Sequence, residues 1–203
     1  MALVDDVWKV DRSKWPRGPW NEEPEDRVEW IAANDVPCLA VRGDLGSWCG
    51  YVGLLPGHPW RDKAEVKFLS TSNPQQEFQV GYDNIPAECH GGLTYGVQKN
   101  CPIVGQAAFP HALWIGFDCG HYRDEVPGML QFAGGRDYNA WYWTLKQVKE
   151  EVEGLALQVA AASAASAHDA RDADKAQQAE QELAARRAEA KAYDESKARE
   201  SIR

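Results

Sequence analysis

The chain has 203 residues, of which 44% are apolar, and its formal net charge at pH 7 is −9. This length predicts one domain with an appendage, and the composition supplies ample apolar surface for a core. The acidic balance argues against duplex nucleic acid as a partner, because such binding depends largely on cations that displace counterions from phosphates. No run reaches the roughly 18 apolar residues that span a bilayer, which argues against a membrane partner.

The five cysteines are odd in number and show no Cys-x-x-Cys spacing. Residues 1–6 contain neither the basic nor the apolar segment of a secretory signal. We therefore expect a cytoplasmic protein whose cysteines stay reduced.

Residues 1–26 are rich in tryptophan, proline and acidic residues and show no sustained apolar period. They predict an extended arm that is anchored to the domain by its tryptophans. A single domain is expected over 27–160, with an α+β fold and a mostly antiparallel sheet of about five or six strands. Gly50 and Gly53 interrupt one β-favouring run, which indicates a bulge or a close approach of a ligand to the backbone. The strand candidates are 27–31, 37–41, 48–55, 64–69, 77–82 and the runs around two motifs described below.

The helix prediction depends on an apolar stripe at spacings of four and three, with charged residues on the other faces. The stripe consists of Trp141, Leu145, Val148, Val152, Leu155 and Val159. It predicts a helix over about 139–160 that packs on the sheet or on a second copy of the chain, so a homo-oligomer is one expectation. Alanine and alternating charges then predict a polar helical or frayed tail over 161–203.

Two short polar motifs, His90–Tyr95 and Trp114–His121, lie inside apolar strand-like runs. Together they gather two imidazoles, a carboxylate, a thiol and several glycines, a chemistry that a plain core does not need. They therefore predict a functional site. The candidate ligand-binding residues are His90, Gly91, Gly92, Thr94, Tyr95, Asp118 and His121.

The first interpretation of this site is a ligand pocket that works without a cofactor. Glycines let a ligand approach the backbone, while imidazoles, hydroxyls and tryptophan rings suit a nucleotide or a similar polar aromatic ligand. No Gly-x-Gly-x-x-Gly motif or phosphate loop is present, so the common nucleotide folds are not indicated. In a related enzyme, His90 and His121 would act as acid and base, with Asp118 orienting one of them.

Two further interpretations use the same residues differently. A metal site would combine His90 and His121 with Asp118 or Cys119. A thiol enzyme would combine Cys49 with His90 and Asp118. The structural alternative is that the histidines bond strand-end carbonyls while Cys119 is a small buried apolar residue.

An acidic chain can still hold a local basic pocket for a small anion. Each candidate cation is otherwise a solvated surface charge. The candidates are Arg42, Arg61, Lys67, Arg123 and Arg136.

The succession of Trp48–Gly53, Gly57–Pro59, His90–Tyr95 and Trp114–His121 resembles a family of small phage and actinobacterial proteins of unknown function. The resemblance covers roughly residues 8–159 and implies a phage or prophage origin. Phage accessory proteins of this kind are often counter-defence factors that bind or destroy nucleotide signals of host immunity. By that analogy we expect sequestration of such a nucleotide in the host cytosol. A hydrolase that cleaves the nucleotide is one alternative, and a module that binds a host protein through its acidic body or tail is another.

Overall fold

The fold is taken from a computed structural model, which contains seven strands and one long helix in the part of the chain that it describes. The described residues are 8–63, 65–68, 78–82, 84–97, 109, 111–132 and 139–200. The strands are β1 (Arg27–Ile31), β2 (Pro37–Arg42), β3 (Trp48–Leu54), β4 (Glu65–Phe68), β5 (Phe78–Gly81), β6 (Tyr95–Val97) and β7 (Leu113–Asp118). The helix α1 spans Leu145–Glu200, and short 3-10 helices lie at Pro19–Glu22 and Pro127–Met129.

The seven strands form one antiparallel sheet in the order β1-β2-β3-β7-β6-β5-β4. The predicted α+β class is confirmed, although the described strands outnumber the five or six that were expected. Residues 90–94 do not continue a strand, because the amide of Gly92 donates to the carbonyl of Cys89 and closes a turn. The first polar motif therefore lies in the turn before β6 and ends at Tyr95, the first residue of that strand. The second motif runs along β7 and extends past its end to His121.

One face of the sheet is covered by the part of the predicted apolar stripe that lies on α1. The prediction was wrong for Trp141, because α1 begins at Leu145 and Trp141 is 63% exposed. Val148, Val152 and Val159 are buried there and belong to the same core cluster as Phe117 of β7. A Cβ atom on Gly50 would lie 2.5 Å from Val152 Cγ2, so this glycine lets the helix approach the sheet. Gly50 thus serves packing rather than ligand approach. Because the stripe is buried within one chain, it is not free to form a dimer seam.

A second apolar cluster covers part of the opposite face of the sheet. Its buried members are Leu39, Val41, Tyr51, Ala112 and Trp114. Tyr95 packs against this cluster, and its ring meets that of Tyr51 edge-on at 5.7 Å between centroids. Within the described residues, both faces near β7 therefore carry apolar side chains, and the polar side chains of the two motifs lie near the strand ends.

The arm, described from Trp8 onward, leads into a buried ionic network. Arg42 is fully buried, and its guanidinium donates to Glu23 Oε2 at 2.5 Å and to the carbonyl of Gly46 at 3.1 Å. Burial alone would raise the pKa of Glu23, but donors that include the hydroxyl of Tyr142 hold this pKa below its ordinary value. The other oxygen of Glu23 accepts from the amide of Leu145, at the start of α1, at 2.6 Å.

The sequence predicted Arg42 as a pocket donor or a solvated surface charge. That prediction is wrong, because the guanidinium is fully buried and pairs with the carboxylates of Glu23 and Asp26. Arg61 is also engaged, donating to the carbonyls of Leu54 and His111 at 2.6 and 3.1 Å. The side chain of Lys67 and the whole of Arg136 lie outside the described residues.

The chain divides into two compact units, Met1–Ala162 and Ser163–Arg203. Along α1, the last buried residue with a described side chain is Val159, where the predicted apolar stripe ends. Within 163–181, every residue whose side chain is described is exposed. The described residues include no helix with the length and apolarity needed to cross a bilayer.

Candidate functional site

The candidate site lies where β7 ends and the chain turns. After Asp118, the amide of Asp124 donates to the carbonyl of His121 at 2.9 Å and closes a tight loop. The amide of Thr94 donates to the carbonyl of Gly116 at 3.0 Å, so the segment before β6 runs beside the end of β7. The strand pairing therefore brings the two polar motifs together.

His90 is held against Asp124, a residue that the sequence analysis did not single out. The Nε2 atom of His90 lies 2.8 Å from Asp124 Oδ2, and the Asp124 side chain is only 6% exposed. The indole of Trp143 donates to the other oxygen of Asp124 at 3.1 Å and packs against the His90 ring at 4.3 Å between centroids. The backbone amide of His90 donates to Glu151 Oε1 on α1 at 2.7 Å. The imidazole is thus oriented from several sides.

His121 lies between two carboxylates. Its Nδ1 atom is 3.6 Å from Asp124 Oδ2, and its Nε2 atom is 3.8 Å from Asp118 Oδ2. Its ring meets that of His90 edge-on, with centroids 5.4 Å apart. Nδ1 is buried and finds no hydrogen-bond partner among the residues that the structure describes, although the side chain as a whole is 32% exposed. The Nδ1 atom of this partly exposed imidazole therefore makes no hydrogen bond to the described residues.

Gly91 is required by the position of the His121 ring. Its φ angle is +65°, a conformation that L side chains rarely adopt. A Cβ atom at this position would lie 2.3 Å from Cε1 of His121, well inside contact distance. The glycine thus lets the turn before β6 close directly onto the imidazole.

Asp118 is the most accessible carboxylate of the group, with 38% of its side chain exposed. The hydroxyl of Thr94 and the amide of Gly120 each donate to one of its oxygens at 2.9 Å. Each carboxylate oxygen can accept more than one hydrogen bond, so acceptor capacity remains.

The structure gathers most of the predicted site residues at this loop. His90, Gly91, Thr94, Asp118 and His121 are connected there by hydrogen bonds or ring contacts, and Gly92 belongs to the same turn. Tyr95 is not with them, since it packs into the apolar cluster on the other face of the sheet. Thr94 lies just before β6 and bonds Asp118, whereas Tyr95, the first residue of β6, meets the ring of Tyr51.

The cysteines do not support the thiol interpretation. Burial raises the pKa of Cys49 to about 11, and the nearby charge of Asp118 adds to the effect. Burial also raises the pKa of Cys119, which is 2% exposed within the main core cluster. A nucleophile or metal ligand must be a thiolate, so a raised pKa disfavours both roles. Cys119 is a buried apolar group, and Cys49 is half-buried beside the second apolar cluster.

An exposed aromatic rim borders the histidines and was also missed. Tyr122 is 90% exposed, and the guanidinium of Arg123 lies 5.6 Å from its ring centroid. Trp141 is 63% exposed and forms an isolated parallel bridge with Asp124. The signal available in the sequence was the His121-x-x-Asp124 spacing with Tyr122 inside it.

The site therefore combines two partly exposed imidazoles, an accessible carboxylate, a buried orienting carboxylate and exposed aromatic rings. Such groups can bind polar ligands through donors and acceptors, transfer protons, or ligate a metal ion. No family model matches the chain, and no solved structure shows a significant match to it.

Proposed function

We propose that the chain binds and sequesters a small nucleotide-type ligand at the loop that carries Asp118 and His121. The observation behind this proposal is that accessible polar groups and exposed aromatic rings converge on one loop, residues 118–125. Carboxylates are suitable acceptors for ribose hydroxyls. Asp118, with its spare acceptor capacity, and the two imidazoles supply the polar contacts.

The aromatic rim supports a ligand with a flat base. Tyr122 and Trp141 expose most of their side chains without a packing reason. Stacking of a base on an aromatic side chain contributes about 1–3 kcal/mol. Arg123, the one predicted cation that is described as exposed beside the site, is placed to contact a phosphate.

The resemblance of the four segments to phage proteins supports a proposal for the biological setting. A phage protein that retains a nucleotide without turning it over would lower the concentration of a host immune signal in the cytosol. We propose this anti-defence role as the setting of the binding activity.

Thermal unfolding of the full chain with a panel of cyclic and linear nucleotides tests the binding proposal. At a hundredfold excess over Kd, a ligand stabilises the folded state by about 2.7 kcal/mol. Tyr122→Ala and Asp118→Asn should reduce the shift. His168→Gln is the matched control, because His168 forms an exposed pair with Asp172 at 3.2 Å outside the site and should respond as wild type. No shift with any nucleotide would contradict the proposal.

The second candidate function is hydrolysis of the same ligand, and the His90–Asp124 contact favours it. A buried carboxylate that orients an imidazole is the arrangement used by many general bases. Chromatography after incubation separates the two functions. Intact nucleotide recovered after heat denaturation indicates sequestration, whereas a new product that disappears in His90→Gln indicates hydrolysis.

A further inference from the structure

We infer that His90, His121 and Asp124 form a binding site for a single divalent transition-metal ion of the zinc class. One nitrogen from each histidine and one oxygen of Asp124 lie within 4.8 Å of one another. The inference is independent of the proposed nucleotide binding, because it uses protein atoms alone. It also replaces Asp118, the carboxylate that the sequence favoured, with Asp124.

The spacing of the donor atoms suits a small ion. Zinc binds histidine nitrogen and carboxylate oxygen at about 2.0–2.2 Å, so two ligands of a tetrahedral ion lie about 3.3 Å apart. The observed separations from Asp124 Oδ2 are 2.8 Å to His90 Nε2 and 3.6 Å to His121 Nδ1. These two values lie on either side of the expected one. The nitrogens of the two histidines lie within 4.8 Å of each other, so binding would draw the two rings together by up to about 1.5 Å.

The buried Nδ1 atom of His121 gives a second, independent reason. It has no hydrogen-bond partner in the described part of the chain, and a metal ion would use its lone pair. Nε2 of the same ring would then carry the proton and face Asp118 Oδ2, now 3.8 Å away. Ligating histidines usually donate their other N–H to a carboxylate in this way. Asp118 is therefore a positioning residue rather than a ligand.

The charges around the site also favour a cation. The carboxylates of Asp118 and Asp124 lie beside the His121 ring, and Glu151 accepts from the backbone amide of His90. Both imidazoles are neutral when they act as ligands. A divalent ion offsets this negative charge, and three protein ligands leave a coordination position for water or a ligand oxygen. The partial exposure of His121 provides the entry path.

The test uses full-length protein without a histidine tag, stripped with EDTA and titrated with Zn²⁺ by calorimetry and with Co²⁺ by visible absorption. Wild type should bind one equivalent of either ion and give the absorption of a low-coordinate Co²⁺ site. His121→Gln and Asp124→Asn should each lose that equivalent. Asp118→Asn should keep it with about tenfold weaker affinity. His168→Gln should bind as wild type, because its exposed His–Asp pair lies outside the cluster.

Asp124→Asn could fail to fold, since its carboxylate accepts several hydrogen bonds. His121→Gln keeps the test decisive, because this side chain is partly exposed and the variant is expected to fold. Circular dichroism checks that the variant has folded. Binding of less than about a tenth of an equivalent by wild type would overturn the inference. So would full binding by His121→Gln, or a loss in Asp118→Asn as complete as that in a folded Asp124→Asn.

Discussion

The molecule contains two polar clusters with opposite designs. In the cluster of Arg42 and Glu23, the guanidinium is fully buried, and Nη1 and Nη2 donate to a carboxylate, a carbonyl and a hydroxyl. Its Nε makes no hydrogen bond to the described residues but forms an ion pair with Asp26 Oδ1 at 3.0 Å. In the cluster of His90, His121 and Asp124, the imidazoles are partly exposed and one nitrogen has no described partner. The first cluster ties the arm and the start of α1 to the sheet. The second also contacts α1, through Glu151, but keeps both imidazoles partly exposed.

This difference separates polar groups that hold the fold together from groups that are available to bind. A buried polar atom without a partner costs about 1–3 kcal/mol. Arg42 Nε offsets this cost through the charge of Asp26 at 3.0 Å in a fully buried pair, whereas His121 Nδ1 is 3.6 Å from Asp124 on a side chain that is 32% exposed. We therefore attribute the histidine cluster to binding and the arginine cluster to stability. Substitutions on both sides of this division test it.

The largest effect is expected for Arg42→Met, which leaves the carboxylates of Glu23 and Asp26 without their buried cation. Removal of one partner of a buried ion pair costs about 3–5 kcal/mol. Urea unfolding measures the loss. Lys146→Gln is the control, since its pair with Glu150 is exposed and should change stability by less than about 1 kcal/mol. Equal stability of the two variants would refute a structural role for the arginine cluster.

A smaller loss is expected for Gly50→Ala, because the added methyl group would overlap Val152 and Phe117 at 2.5 and 2.6 Å. Overpacking of this kind costs about 1–3 kcal/mol. Gly154→Ala is the matched control on α1, where a Cβ atom meets nothing within 4 Å and should stabilise the helix by about 0.5–1 kcal/mol. If both variants shift the unfolding midpoint in the same direction, α1 does not pack tightly against Gly50.

His58 is the structural counterpart of His121, because both of its nitrogens are engaged. Nδ1 accepts from the amide of Trp60 at 3.1 Å, and Nε2 lies 3.0 Å from the carbonyl of Val159. Burial lowers the pKa of His58 below its ordinary value of 6.5, and the charge of Arg61 lowers it further.

The unfolded chain therefore takes up the His58 proton more readily, so this contribution to stability is complete above about pH 6.5 and is lost as the pH falls. Urea unfolding at pH 7 and pH 5 should show a smaller pH dependence in His58→Gln than in wild type, since glutamine can donate to the same carbonyl without titrating. An unchanged pH dependence would mean that His58 is not held neutral.

The smallest effect is expected for deletion of residues 163–203. The described side chains of 163–181 are exposed, and surface changes away from buried contacts alter stability by about 0.5 kcal/mol or less. The deleted chain should therefore unfold at the same urea concentration as wild type and bind the same ligands. A clear loss of stability would show that residues 163–203 contribute to the fold. A loss of ligand binding would show that they contribute to the binding site.

Local patterns in the sequence predicted the parts of the fold that depend on local geometry. The stripe from Val148 to Val159 was identified because helical periodicity is written into neighbouring residues, and the structure confirms it. The burial of Arg42 could not be identified in this way, since its partners Glu23 and Tyr142 lie 19 and 100 residues away. Only strand pairing and packing bring such residues together.

The same limit explains the candidate site. Its histidines stood out by residue type, but Asp124 is 34 residues from His90 and becomes its partner only through the turn after β7. Tyr95 could not be separated from Thr94 by the sequence alone, because its partner Tyr51 lies on a distant strand and the start of β6 is set by pairing with β7.

The most direct test of the division between stability and binding is the urea unfolding of His121→Gln with and without Zn²⁺. Without metal, the variant should unfold within about 1 kcal/mol of wild type, since Nδ1 of the imidazole makes no hydrogen bond to the described residues and the side chain is partly exposed. With Zn²⁺, only wild type should gain stability. A metal-free variant that is several kcal/mol less stable, or a variant that gains as much from Zn²⁺ as wild type, would contradict this account.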